Sequence, residues 1–171
     1  KGSFTQQEPI PEAGIEAAVA VMRSGRLHRY NTVAGETAQT VLLEQEFAAS
    51  VGMKCCLAVA SGGYAMTTAL RAVGVKSGDR VLTNAFTLAP VPGAIAAVGA
   101  EPVFVDVTDG LVIGLDDLAG KLDQAGVLLL SHMRGHICDM DRLMEICEGA
   151  GVAVGEDGLH LGHDGEGDLF G

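Results

Sequence analysis

Apolar residues recur along this chain in two rhythms. Between Pro11 and Ser24, Ile15, Ala18, Val19 and Met22 stand at i, i+3, i+4 and i+7, one face of a helix, and Gly25 supplies a stop. Polar Arg26 to Gly35 reads as a loop. From Glu36 to Val51 a second amphipathic pattern carries Val41, Leu42, Phe47 and Val51, and Gly52 closes it. Beyond Gly52, short apolar runs alternate with helical patterns. Strands are expected at Cys55 to Ala60, Arg80 to Leu82, Pro102 to Val107, Gly126 to Leu130 and Val152 to Gly155. Helices are expected at Tyr64 to Val73, Pro92 to Val98, Leu115 to Leu122 and Met140 to Gly149, with a turn at Gly74 to Asp79. Strands alternating with helices of this length predict an α/β fold, a three-layer α/β/α arrangement with a mostly parallel sheet covered on both faces. His163 to Gly171 departs from the beat: it is glycine and acid, with only Leu169 and Phe170 to bury.

Composition narrows the picture. A chain of 171 residues that is 48% hydrophobic has room for one well-buried core. The expected division is residues 1–35 as an N-terminal helix and loop and 36–171 as the α/β body. The longest apolar runs, such as Val127 to Leu130 and Ala94 to Val98, fall well short of the roughly 20 residues of a membrane span. No secretory pattern is visible at the start, although the first residue is Lys1 and not Met, so a cytoplasmic location is expected. Asp and Glu number 22 against 11 Lys and Arg, a net charge of -11, which repels a phosphate backbone and argues against nucleic-acid binding. Cys55, Cys56, Cys138 and Cys147 lack the spacing of a disulfide framework and read as reduced thiols.

Candidate chemistry sits at two places. Ala60-Ser61-Gly62-Gly63-Tyr64-Ala65-Met66 follows an apolar run and opens a helix, where free N–H groups and a close glycine backbone suit a phosphate. Plain turn glycines explain Gly62 and Gly63 equally, and the run is not the G-x-G-x-x-G of a dinucleotide fold. Glu156-Asp157 ends the last apolar strand, on the edge where open α/β sheets bind ligands, and His160 follows three residues on. A carboxylate there is also a common helix cap, and a lone histidine is commonly structural. His132, His136 and Cys138 lack a clear fourth ligand, and Asp164, Glu166 and Asp168 lack the distal Glu of a calcium loop, so no metal is expected.

Taken in order, several pieces resemble the DegT/DnrJ/EryC1/StrS family of sugar aminotransferases, pyridoxal-phosphate enzymes of the aspartate-aminotransferase fold type. They are Ser24-Gly25-Arg26-Leu27, Leu43-Glu44-Gln45-Glu46-Phe47 leading to Val51-Gly52, Ser61-Gly62 with Ala65, and Gly74-Val75-Lys76-Ser77-Gly78-Asp79. Further marks are Gly99-Ala100-Glu101-Pro102-Val103-Phe104-Val105-Asp106, Ser131-His132 before Gly135-His136, Asp139-Met140-Asp141 with Leu143-Met144, and Glu156-Asp157 with His160. The resemblance implies that residues 36–171 are part of the large domain of a fold-type I enzyme, without its smaller C-terminal domain. It implies pyridoxal 5'-phosphate as cofactor, with Ser61, Gly62, Gly63 and Tyr64 at the phosphate and Phe86 and Leu88 in the segment covering the ring. Asp157 would face the pyridinium nitrogen, where a fixed negative charge keeps the ring protonated and makes it an electron sink, and His160 the phenolic oxygen. It further implies glutamate or glutamine as amino donor, a nucleotide-linked keto-sugar as acceptor, and a homodimer with active sites at the subunit interface.

The chain departs from that pattern in places. Gly63 stands where the family usually has Thr, and Leu88 stands at the stacking position, so an aromatic cover would fall to Phe86 or Tyr64. After His160 the family's small-residue turn is not followed well. The only lysines, Lys1, Lys54, Lys76 and Lys121, fall at loops or helix ends that do not match the Schiff-base position, so no catalytic residue is assigned. The chain then reads as part of a longer aminotransferase, as a truncated, non-catalytic cofactor-binding or dimerisation fragment, or as part of a related sugar dehydratase in which His replaces that lysine.

Overall fold

A computed structural model describes residues 9–157; His160 and the acidic tail lie outside the described residues. The chain divides into two compact units, Lys1–Ala58 and Val59–Gly171.

The first unit contains α1 (Glu12–Ser24) and α2 (Gln39–Ser50). Both helices form where the apolar spacing predicts them, and Gly25 ends α1 in the left-handed conformation at φ 69°, its N–H donating to the Met22 carbonyl. The apolar faces of these helices are largely uncovered. No residue of α1 is buried, and Met22 is 62% exposed. On α2 the buried residues are Glu44 and Ala48, whereas Leu42, Phe47 and the following Val51 are exposed. The buried side carries a paired carboxylate: Glu44 accepts hydrogen bonds from the two terminal guanidinium nitrogens of Arg29, at 3.0 and 2.7 Å, and from the Ala58 N–H at 2.9 Å.

A correction concerns Cys55 to Ala60, which is not a strand. A strand exists only through a ladder with a neighbour. Among the described residues none pairs with this segment, and its Ala58 N–H is given to Glu44 instead.

The second unit holds the expected alternation of helices and strands. Its elements run α3 (Gly62–Ala72), β1 (Arg80–Asn84), α4 (Pro90–Ala97), β2 (Glu101–Val105), α5 (Leu115–Ala119), β3 (Val127–Ser131), α6 (Met140–Ala150) and β4 (Ala153–Asp157). The four strands form one sheet in the order β2-β1-β3-β4, every pairing parallel. Side chains alternate between its faces as the pleat requires. Val81 and Leu129 pack with Met66 and Leu70 of α3 and Val91, Ala94 and Ile95 of α4. Leu82, Val103, Val105, Leu128 and Leu130 pack on the opposite face with Leu118 of α5 and Leu143 and Cys147 of α6. The sheet is therefore the middle of three layers, and it reads as near-continuous apolar runs because both faces are covered.

The connection from β1 to β2 runs through α4 on one face, and that from β3 to β4 runs through α6 on the other. Neighbouring connections thus part between β1 and β3, and the carboxyl ends of these two strands border the crevice where open α/β sheets hold ligands.

Candidate functional site

The predicted turn sits at the start of α3. Ser61 is extended at φ -164°, and its Oγ accepts the Tyr64 N–H at 3.2 Å, capping the helix. The cap leaves the Ser61 hydroxyl proton to donate elsewhere. It also leaves the N–H groups of Gly62 and Gly63 without a partner among the described residues. A side chain on Gly62 would meet nothing within 4 Å, and one on Gly63 would reach only the Pro90 Cβ at 4.0 Å. Neither glycine has a positive φ, so crowding and backbone strain do not explain them. What the turn offers is open space against two free N–H groups at the positive end of an 11-residue helix. The neighbouring α4 cannot add donors in the same way: Pro90 and Pro92 have no N–H, and the Val91 N–H is spent on the Leu88 carbonyl.

The closeness of Gly63 to Pro90 brings the turn beside the loop after β1, which holds Phe86 and Leu88. Phe86 is half-buried, whereas Leu88 and Tyr64 are 55% and 56% exposed. Between Phe86 and Leu88, the Thr87 Oγ1 is buried with no hydrogen-bond partner among the described residues.

The loop is anchored by Asn84, which is 1% exposed. Its Nδ2 donates to the carbonyls of Phe86 at 2.8 Å and Ser131 at 3.1 Å, and its Oδ1 accepts the Ser131 N–H at 2.9 Å. Ser131 ends β3 and lies opposite Asp157 in the parallel ladder, so the backbone places Asp157 at the same edge of the sheet. Beside it, His132 Nε2 lies 3.4 Å from Glu156 Oε2. The structure thus gathers Ser61, Gly62, Gly63, Tyr64, Phe86, Leu88 and the strand end of Asp157 at one rim, while His160 lies outside the described residues.

The sequence pattern singles out Ser131 and His132 but neither Asn84 nor the pairing of His132 with Glu156. A lone Asn closing an apolar strand run was the available signal. His132 therefore has a carboxylate neighbour of its own. Cys138 Sγ rests 3.6 Å from Met140 Sδ, and burial first, then the nearby Glu156 and Asp139 charges, push its thiol pKa up, which keeps it protonated and unreactive. The turn that follows β3, Met133–Gly135, holds Arg134 at φ 57°, a strained value for a residue with a side chain.

The lysines of this unit stand away from such a role. Lys76 lies in the turn before β1, at the opposite end of the strands. Lys121 Nζ is engaged by Asp117 Oδ2 at 2.6 Å and the Phe104 carbonyl at 2.8 Å.

Comparison with known proteins gives the family. Residues 10–163 match the DegT/DnrJ/EryC1/StrS aminotransferase family. The spore coat polysaccharide biosynthesis protein SpsC of Bacillus subtilis (strain 168) is 34% identical over 120 residues, 68% of this chain and 31% of that protein. The dTDP-3-amino-3,4,6-trideoxy-alpha-D-glucose transaminase of Micromonospora megalomicea subsp. nigra is 33% identical over 145 residues, 84% of this chain and 37% of that one. The crystal structure of 3-amino-5-hydroxybenzoic acid synthase is 29% identical with a TM-score of 0.79, covering 91% of this chain and 40% of that one. The PLP-form of the sugar aminotransferase Spr1654 of Streptococcus pneumoniae, itself described as putative, is 25% identical with a TM-score of 0.78, covering 89% and 41%. The chain spans about a third of the length of these curated relatives (31% and 37%). Its sheet, its helices and its sequence over 10–163 agree in one assignment: this chain belongs to the DegT/DnrJ/EryC1/StrS aminotransferase family.

Proposed function

We propose that this chain forms the cofactor-holding part of a pyridoxal-phosphate-dependent aminotransferase that transfers an amino group to a nucleotide-linked keto-sugar. The observation that carries the proposal is the rim itself: a helix start with two free N–H groups, a covering loop and an acidic strand end meet where the connections part. The residues fit the cofactor. The space open at Gly62 admits a phosphate to the Gly62 and Gly63 N–H groups and the Ser61 hydroxyl, and the partnerless Thr87 hydroxyl lies in the covering loop. When bound, the cofactor supplies an electron sink for moving an amino group.

In this reading Ser61, Gly62, Gly63 and the backbone at Tyr64 bind and orient the phosphate. Phe86 and Leu88 exclude water from one face of the ring. Asp157 holds a proton on the ring nitrogen, because a nearby carboxylate favours the charged form of its partner. By the family resemblance His160, outside the described residues, would face the phenolic oxygen. The relative named as the transaminase of a dTDP-linked sugar supports the acceptor class, and the PLP-form of a solved relative supports the cofactor. Glutamate or glutamine as donor, a homodimer and a cytoplasmic location belong to the same proposal.

Equilibrium titration of the purified protein with pyridoxamine 5'-phosphate, followed by absorbance, tests it. Saturable binding is expected, and Asp157→Ala is expected to weaken it about tenfold or more, as loss of a charged partner does. No binding by the unaltered protein at millimolar ligand would remove the cofactor reading.

A further inference from the structure

We infer that Asn84 is a positioning residue for the cofactor ring, tying the loop that covers it to the strand end that carries Asp157. The inference rests on the function proposed above and adds a residue that the family resemblance does not supply.

The backbone register between β1 and β3 covers Leu82 opposite Leu128 and Thr83 opposite Leu129. Beyond it, the Asn84 side chain takes the place of a peptide group: its Oδ1 and Nδ2 meet the N–H and carbonyl of Ser131 as a paired strand would. The remaining Nδ2 proton reaches the Phe86 carbonyl at 2.8 Å. One buried amide therefore satisfies three backbone groups on two segments. Ser131 in turn lies opposite Asp157 in the β3–β4 ladder, so the chain of contacts runs Phe86, Asn84, Ser131, Asp157.

Only an amide of this length does all of this, since a carboxylate cannot donate and a hydroxyl cannot span two points. The phosphate turn on α3 lies outside the linkage, because no hydrogen bond joins Asn84 to it among the described residues. Removing the amide therefore loosens the ring's cover and the register of its carboxylate while leaving the phosphate donors in place.

The test replaces Asn84 by Leu, which keeps the branched shape and removes the amide's donor and acceptor, and follows three quantities: thermal unfolding, affinity for pyridoxamine 5'-phosphate, and the pH at which the ring nitrogen of the bound ligand titrates, read by absorbance at saturation. Expected are an affinity loss of about ten- to hundredfold, from leaving buried backbone groups unpaired, and a ring titration moved to lower pH as its carboxylate partner is less well placed. A merely structural asparagine predicts a lower unfolding temperature with an unchanged ring titration, and that result overturns the inference. If Asn84→Leu does not fold, Asn84→Ser takes its place, and amide exchange of the unaltered protein decides independently. Protection of the Ser131 N–H without ligand supports the linkage, and rapid exchange there overturns it. Failure of the unaltered protein to bind the ligand at all is a different outcome, which overturns the cofactor reading and this inference with it.

Discussion

Glu44 is a charged side chain buried on a helix whose larger apolar residues are exposed. It is 7% exposed, on a helix whose apolar residues Leu43 and Phe47 are 57% and 54% exposed. The Ala58 N–H first, and the Arg29 guanidinium after it, hold its carboxyl below the usual range, against the opposing pull of its own burial. A depressed carboxylate contributes stability that is present above its unfolded pKa and lost as pH falls through the folded value. Replacing it by Gln should therefore lower the unfolding temperature most at neutral pH. The gap between the two proteins should begin to narrow near the ordinary carboxylate pKa, about pH 4, and close only below the lowered folded value; thermal melts across pH measure this, and a gap independent of pH would contradict it. Nothing in the hydrophobic spacing marks Glu44 as buried. That outcome depends on Arg29, fifteen residues earlier, and on Ala58, fourteen later, arriving at the same carboxylate.

At the scale of elements, the chain's punctuation has physical reasons that a sequence partly displays. Gly99 closes the turn between α4 and β2 at φ 80°, and its carbonyl accepts the Gly78 N–H at 2.8 Å. A Cβ there would meet the Ser77 Oγ at 2.7 Å and the Ser77 Cβ at 2.9 Å. Gly99→Ala is thus expected to cost about 1–2 kcal/mol from the left-handed backbone alone, with the contact against Ser77 added; chemical denaturation checks it. A cost below about 0.5 kcal/mol, the range of neutral surface changes, would mean the turn relaxes freely. The helices and four of the five expected strands stand where the apolar beat puts them, within a few residues. Cys55 to Ala60 fails because its apolar composition meets the propensity for a strand but not the need for a neighbour.

Across the whole molecule, burial is uneven. In the second unit Val81, Leu82, Leu128 and Leu143 are fully buried between layers, whereas α1 in the first unit buries no residue. Local opening is governed by how much apolar contact must be broken. Amide exchange is therefore expected to be slowest in β1 and β3 and fastest in α1, whose Val19 and Val21 are only half-buried. Protection of α1 equal to that of β1 would show that its apolar face is covered in solution. Among the described residues no helix is long and apolar enough to cross a membrane.

The α/β class, the alternation of elements, the glycine turn at the head of α3 and the family are legible along the chain, since each is written in local pattern, in turn chemistry or in the order of short motifs. The tertiary structure alone decided which residues share the rim. Asn84 and Ser131 stand 47 positions apart and meet because a parallel ladder sets their strands side by side, and Asp157 joins them through the next ladder. A parallel sheet brings together residues that are far apart in the chain, and local periodicity carries no information about strand order, so a buried amide closing an apolar run cannot show its partners until the strands are placed.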